Sequence, residues 1–231
     1  MPSAPITRES PLPGGWGYSA MRKVAMAISG WAIVAFLYGH WAGNTALLEG
    51  ERAFNEYQLW LRSHPILHYG VWVVIGGALL VHLAVGPRHW LTNRRARPVP
   101  YRKKTYQSTT WAARSMMGSG TILLLFLIVH ISQVNGWLTF AGASSVYENL
   151  QAGFERWPVV ALYLLAQLAL AFHLYHGLWS QFQTLGIHHP RYNRWRRPFA
   201  VVVGVGLAVL NIGLVLLNID DVRRFVLELS V

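Results

Sequence analysis

Five apolar stretches recur along the chain, at about 22–46, 66–90, 113–138, 157–184 and 198–218. A hydrocarbon layer of roughly 30 Å takes about 20 helical residues to cross, and in lipid only a helix or a closed barrel satisfies its own backbone. The stretches therefore specify an all-α fold, a polytopic bundle of five transmembrane helices in one domain over residues 1–231. Charged residues make up 13% of the chain, against about 25% in soluble domains. The 11 tryptophans suit rings that settle at the headgroup level. The fifth stretch, FAVVVGVGLAVLNIGLVLL, holds neither histidine nor charge and reads as a packing brace or a subunit contact.

Charge orients the bundle. Arg22, Lys23, Arg88, Arg94, Arg95, Arg97, Arg102, Lys103, Lys104, Arg114, Arg191, Arg194, Arg196 and Arg197 flank the N-terminal tail, the second-to-third loop and the fourth-to-fifth loop. Eight of the nine acids (Glu49, Glu51, Glu56, Glu148, Glu155, Asp220, Asp221, Glu228) fall on the other side, Glu9 being the exception. Because cytoplasmic loops are rich in Lys and Arg, the N-terminus is expected in the cytoplasm and the C-terminus outside, in a multi-pass protein of the cytoplasmic (inner) membrane. Residues 1–20 have no apolar run and read as a cytoplasmic tail rather than a signal peptide. The net charge of +11 is then the ordinary basicity of cytoplasmic loops, and no nucleic-acid-reading module accompanies it. The lipid bilayer is the expected partner. Between the first two spans, ERAFNEYQLWLRS puts Phe54, Tyr57 and Leu61 at helical spacing, as in an amphipathic helix lying on the outer surface. Gly39/Gly43 and Gly77/Gly86 offer small faces for close approach, and no internal repeat stands out.

His40, His82, His130 and His173 lie one in each of the first four spans. A histidine in hydrocarbon is expensive and marks function by default. The first and third spans run outward, which places His40 and His130 toward the outer face. The second and fourth run inward, which places His82 and His173 toward the cytoplasm. Ligands of one iron share a depth, so the consistent pairs are His40 with His130 and His82 with His173. At about 1.5 Å per residue the two levels lie roughly 10–15 Å apart. One imidazole from each of four helices is the requirement of two bis-histidine haem b groups. The competing explanation for each ring is a buried polar residue bonded to a neighbouring carbonyl. Cysteine is absent, which excludes Cys-ligated clusters on this chain, and a non-haem metal wants acids or a tight histidine cluster that the spans lack. His176, one turn after His173, is open between ligand, haem or quinone contact, and structural hydrogen bonder. His64, His68, His188 and His189 fall in or near loops.

RKVAMAISGWAIVAFLYGHWAGN and FHLYHGLWSQFQTLG resemble the single-subunit, five-helix, two-haem cytochrome b membrane anchor of succinate dehydrogenase and fumarate reductase. The resemblance covers all five spans. It implies the same two ligand pairs, and it selects His173, four residues before Gly177, over His176. It also implies a flavoprotein and an iron–sulfur subunit on the cytoplasmic side, with a higher oligomer of the complex as a further possibility. Ala171 stands where certain fumarate reductases carry a glutamate thought to help protons cross, so that proton route is not expected here.

The function expected from these readings is electron transfer between the iron–sulfur subunit and a quinone, menaquinone being the expected one. Quinone candidates are Ser19, Arg22, His89, Trp90, His176 and Gln181 toward the cytoplasm, and Trp41, Asn44, Gln133 and Asn135 toward the outside. Lys23 and Arg114 are candidates for haem propionates, and Ser29 for a haem face. Two alternatives stand beside this reading. One is the b-type anchor of another oxidoreductase, such as a hydrogenase or formate dehydrogenase. The other is a haem-free transporter or assembly scaffold.

Overall fold

The computed structural model describes residues 16–95, 111–140, 142–187 and 189–229. Among the described residues every regular element is helical: α1 (Trp16–Asn44), α2 (Ala46–Glu49), α3 (Glu51–Ser63), α4 (Pro65–Arg95), α5 (Trp111–Val134), α6 (Val146–Phe154), α7 (Trp157–Thr184), α8 (Pro190–Asn193), α9 (Arg196–Ala200), a π-helical turn at Val201–Val205, α10 (Gly206–Leu217) and α11 (Asp220–Glu228). Five helical stretches are long and apolar enough to cross a membrane: Ala20–Glu49, Pro65–Arg95, Trp111–Val134, Trp157–Thr184 and Arg196–Leu217. The expected tail falls mostly outside the described residues, as do Arg97, Arg102, Lys103, Lys104, His188 and the side chain of Ser19.

The third span stops at Val134 rather than near 138. Gly136, at φ 73°, adopts the left-handed conformation that ends helices. The N–H groups of Trp137 and Leu138 then turn back onto Ser132 O at 2.9 and 3.0 Å. The surface segment forms α3 as expected, with Phe54 buried. Gly43 lets the Tyr57 ring lie against α1, since a Cβ there would stand 2.2 Å from Tyr57 Oη. Gly86 faces Met26, whereas a Cβ at Gly39 or Gly77 would meet nothing within 4 Å.

Consecutive long helices alternate in direction, which gives the bundle one basic and one acidic end. Arg22, Arg88, Arg94, Arg95, Arg114, Arg191, Arg194 and Arg197 gather at the first, and Glu49, Glu51, Glu148, Glu155 and Asp220 at the second. α1 packs on α4, α5 packs on α7, and α7 also carries α9, the π-turn and α10. Phe54, Leu150, Phe154, Val160, Tyr163 and Val215 form an apolar cluster toward the acidic end. Val34, Leu170, Leu174, Leu178, Ala200 and Leu207 form a second toward the basic end. The fifth span is held tightly to this second cluster. A Cβ on Gly204 would lie 2.8 Å from Leu174 Cβ, and Tyr38 Oη donates to Val203 O at 2.7 Å. Arg196 is buried at the foot of this span, where Nη2 donates to Ile187 O at 3.0 Å and to Asn193 Oδ1.

Candidate functional site

The four span histidines meet in two cross-helix pairs. α1 and α5 bring His40 and His130 together with ring centres 5.8 Å apart and planes at 83°. α4 and α7 bring His82 and His173 to 6.1 Å and 56°. One turn before each histidine of the first pair, a phenylalanine stacks on its ring: Phe36 on His40 at 5.2 Å and Phe126 on His130 at 5.4 Å.

Side chains from neighbouring helices fix three of the rings through Nδ1. Ser29 Oγ lies 3.4 Å from His82 Nδ1, and Ser119 Oγ lies 3.2 Å from His173 Nδ1. Tyr163 Oη lies 3.0 Å from His130 Nδ1 and donates to Gln133 Oε1 at 2.9 Å. Gln133 Nε2 in turn donates to Asn149 O at 3.1 Å, and Asn149 Nδ2 returns a bond to Gln133 O at 2.8 Å. His40 differs, because Asn44 Nδ2 stands 3.0 Å from its Nε2. These contacts also measure the separation of the levels. Ser29 and His40 are eleven residues apart on α1, Ser119 and His130 eleven on α5, and Tyr163 and His173 ten on α7. At about 1.5 Å per residue the levels stand roughly 15–17 Å apart, slightly more than the spacing of the spans suggested.

The geometry fits a planar metal group held from both faces. Two metal–imidazole bonds of roughly 2 Å, plus about 1 Å from each nitrogen to its ring centre, require ring centres roughly 6 Å apart. Both pairs meet this. Engagement of Nδ1 in His82, His130 and His173 leaves Nε2 for a metal, the arrangement metal-bound histidines usually show. At His40 the Asn44 amide must yield Nε2, or Nδ1 must serve. Among the described residues no group of three or more His, Cys, Asp or Glu side chains gathers as a bare ion would require. Near the basic-end pair, the buried atoms His176 Nδ1 and Gln181 Oε1 have no hydrogen-bond partner among the described residues.

The other expected site residues divide by position. Toward the basic end, Gln181 packs on Gly30, whose Cβ would lie 2.5 Å from Gln181 Nε2. His89 lies within electrostatic reach of Lys23 and Arg22. Trp90 is exposed, with the Arg94 guanidinium 5.2 Å above its ring, and Arg114 lies 3.8 Å above Trp111. Toward the acidic end, Asn44 stands at His40 Nε2, and the other three candidates have separate surroundings. Trp41 packs on the α1–α7 apolar cluster, the Gln133 amide is engaged by Tyr163 and Asn149, and Asn135 is exposed, bonding Ile131 O at its own helix end. His64 and His189 also serve helix ends, bonding Trp60 O and Arg191 N.

Ser119, Tyr163 and Asn149 escaped the sequence reading, although a signal for the first was present. Met-x2-Ser-Gly-x5-Phe-Leu-x2-His occurs at 26–40 and again at 116–130, and Ala-Leu-x2-His-Leu-x2-Gly occurs at 78–86 and 169–177. The chain thus contains an internal repeat with a period of about 90 residues, contrary to expectation. α1 with α4 is the first copy, and α5 with α7 the second. Equivalent residues form each pair, His40 with His130 and His82 with His173.

An all-helical, multi-pass membrane subunit with paired cross-helix histidines is the class these features define. The family described as succinate dehydrogenase/fumarate reductase transmembrane subunit matches residues 92–213, more than half of the chain, and the chain belongs to that family. It is a membrane anchor subunit of an oxidoreductase complex and associates with the other subunits of that complex. The match includes His130 and His173 and begins after His40 and His82. None of the curated proteins and none of the solved structures compared with the chain matches it.

Proposed function

We propose that this chain is a two-haem cytochrome b anchor that carries electrons between an iron–sulfur partner subunit and a quinone, with menaquinone as the expected quinone. The observation that carries the reading is the pair of imidazole–imidazole spacings, 5.8 and 6.1 Å, each spanning two helices. The internal repeat supports extending the reading to His40 and His82, which lie outside the family match, because they occupy the positions of His130 and His173 in the first copy. His40 and His130 would hold one haem, and His82 and His173 the other. Haem so held supplies reversible one-electron chemistry.

The chain's own residues bind, orient and shield. The helix pairs fix the two imidazoles of each site at one depth, and the phenylalanines at 36 and 126 wall the acidic-end rings. Apolar packing around the rings excludes water and so influences potential. Lys23 and Arg22 provide positive charge near the basic end for propionates, with the His89 ring within their electrostatic reach. His176 Nδ1 and Gln181 Oε1, without a hydrogen-bond partner among the described residues, offer polar atoms to a propionate or to a quinone headgroup. The basic end would face the cytoplasm of an inner membrane by the positive-inside rule, and the flavoprotein and iron–sulfur subunits would dock there.

Isolation of the tagged chain from its native membrane in mild detergent tests the reading as a whole. Co-isolated flavin and iron–sulfur subunits, with succinate-dependent reduction of a quinone, are expected. A complex that lacks succinate–fumarate chemistry would contradict the assignment.

A further inference from the structure

We infer that Ser29 and Ser119 are equivalent positioning residues for the His82–His173 pair, and that Tyr163 alone does this work at the other level, on His130. The inference rests on the reading of both pairs as haem ligands.

The direction of each bond is determined locally. Ser29 Oγ donates to Met26 O at 3.1 Å, and Ser119 Oγ donates to Met116 O at 3.2 Å. With the hydroxyl hydrogen committed to the helix backbone, each serine oxygen meets the imidazole as an acceptor. His82 Nδ1 and His173 Nδ1, at 3.4 and 3.2 Å, must then carry the proton, and Nε2 is left as the base that meets metal. Tyr163 follows the same logic through a different residue. Its hydrogen goes to Gln133 Oε1, whose amide is oriented by the bond from Nε2 to Asn149 O. The Tyr163 oxygen therefore accepts from His130 Nδ1.

The repeat explains why one level is symmetric and the other is not. Ser29 and Ser119 are equivalent positions, and so are the glycines that follow them. A Cβ at Gly30 would lie 3.7 Å from His82 Cε1, and one at Gly120 would lie 3.4 Å from His173 Cε1. Tyr163, ten residues before His173, has Trp72 as its counterpart ten residues before His82. Trp72 is 52% exposed and its indole can only donate, so His40 receives no equivalent acceptor and meets Asn44 instead.

An Nδ1–H donated to an acceptor makes the imidazole a stronger base toward iron and favours the oxidised metal. Loss of one such acceptor raises the midpoint potential of the haem it serves. A shift of about tenfold in the reduction equilibrium of that haem converts to ~59 mV for one electron.

Redox titration of the purified full-length chain, followed by visible spectra with haem content measured in parallel, tests this. Ser29→Ala and Ser119→Ala are expected to raise the potential of the same haem, additively when combined. Tyr163→Phe is expected to raise only the other, with two haems retained throughout. Unmoved potentials with both haems present, or both haems moving together in every variant, would overturn the positioning inference and leave the haem reading standing. A wild-type chain without haem would overturn both. Should Tyr163→Phe fail to fold, the serine variants decide alone, since shifts on different haems would refute their equivalence.

Discussion

Replacing Gln133 with leucine removes the central member of a buried hydrogen-bond chain, and the consequence follows from its partners. Gln133 is 1% exposed and Tyr163 5% exposed, so water does not replace what is lost. In Gln133→Leu the Tyr163 hydroxyl loses its acceptor. A buried donor left unsatisfied costs about 1–3 kcal/mol, and the bond itself contributes about 0.5–1.5 kcal/mol. Asn149 O loses the Gln133 amide but remains within α6, where the helix supplies a backbone donor. The expected loss is therefore about 1.5–4.5 kcal/mol. Tyr163→Phe strands Gln133 Oε1 and His130 Nδ1 by the same reasoning. In the double variant leucine faces phenylalanine, so the orphans at the Tyr163 hydroxyl and at Gln133 Oε1 both disappear and only His130 Nδ1 stays unpaired. Its destabilisation should be smaller than the sum of the single effects by about 1–3 kcal/mol. Equilibrium unfolding of all four proteins in mixed micelles, followed by circular dichroism, measures this cycle. Additivity within about 0.5 kcal/mol would refute the coupling.

Three further outcomes follow from other contacts. Gly204→Ala places a Cβ 2.8 Å from Leu174 Cβ and 3.1 Å from the Leu174 backbone. The fifth span must move off α7, so a destabilisation of about 1–3 kcal/mol is expected in the same unfolding assay, and an unchanged midpoint would contradict the packing. Asn44→Ala should leave haem content unchanged, because the amide only occupies His40 Nε2 and would have to yield it to a haem bound through that nitrogen; loss of one haem would show that Asn44 holds the ring in place. Glu148 Oε2 accepts from Ser144 Oγ and N at 2.7 Å, and these bonds hold its pKa below the usual 4.5. Because the folded pKa is depressed, the stabilisation is complete above the ordinary carboxylate value and is lost as pH falls through the folded one. Glu148→Gln should flatten that acid limb in a thermal-unfolding pH series, and an unaltered limb would contradict a role for these bonds.

The spans were legible because lipid leaves a helix few alternatives, and length and apolarity alone locate one. The pairing of the histidines was legible because alternating spans convert sequence position into depth. What sequence hid was the neighbourhood of each ring. Tyr163 looks like one more aromatic in an apolar run, and only the turn back through Gly136 and α6 brings Asn149 over Gln133 to orient it. Gln133 read as a quinone candidate because it lies toward the outside near His130, and its bonds to Tyr163 and Asn149 could not be read from the sequence. The repeat was obscured because its shared Ser, Gly, Phe, Leu and His positions sit among apolar residues that lipid permits to vary. The π-turn at Val201–Val205 has no local sequence signal; the Tyr38 bond to Val203 O and the Gly204–Leu174 contact are tertiary.

The most direct test of the central claim is a reduced-minus-oxidised spectrum with haem quantitation on the detergent-purified full chain. Two haem b per polypeptide are predicted, falling to one in His82→Ala and to one in His130→Ala. A colourless protein recovered from a haem-replete membrane would contradict the assignment of both histidine pairs.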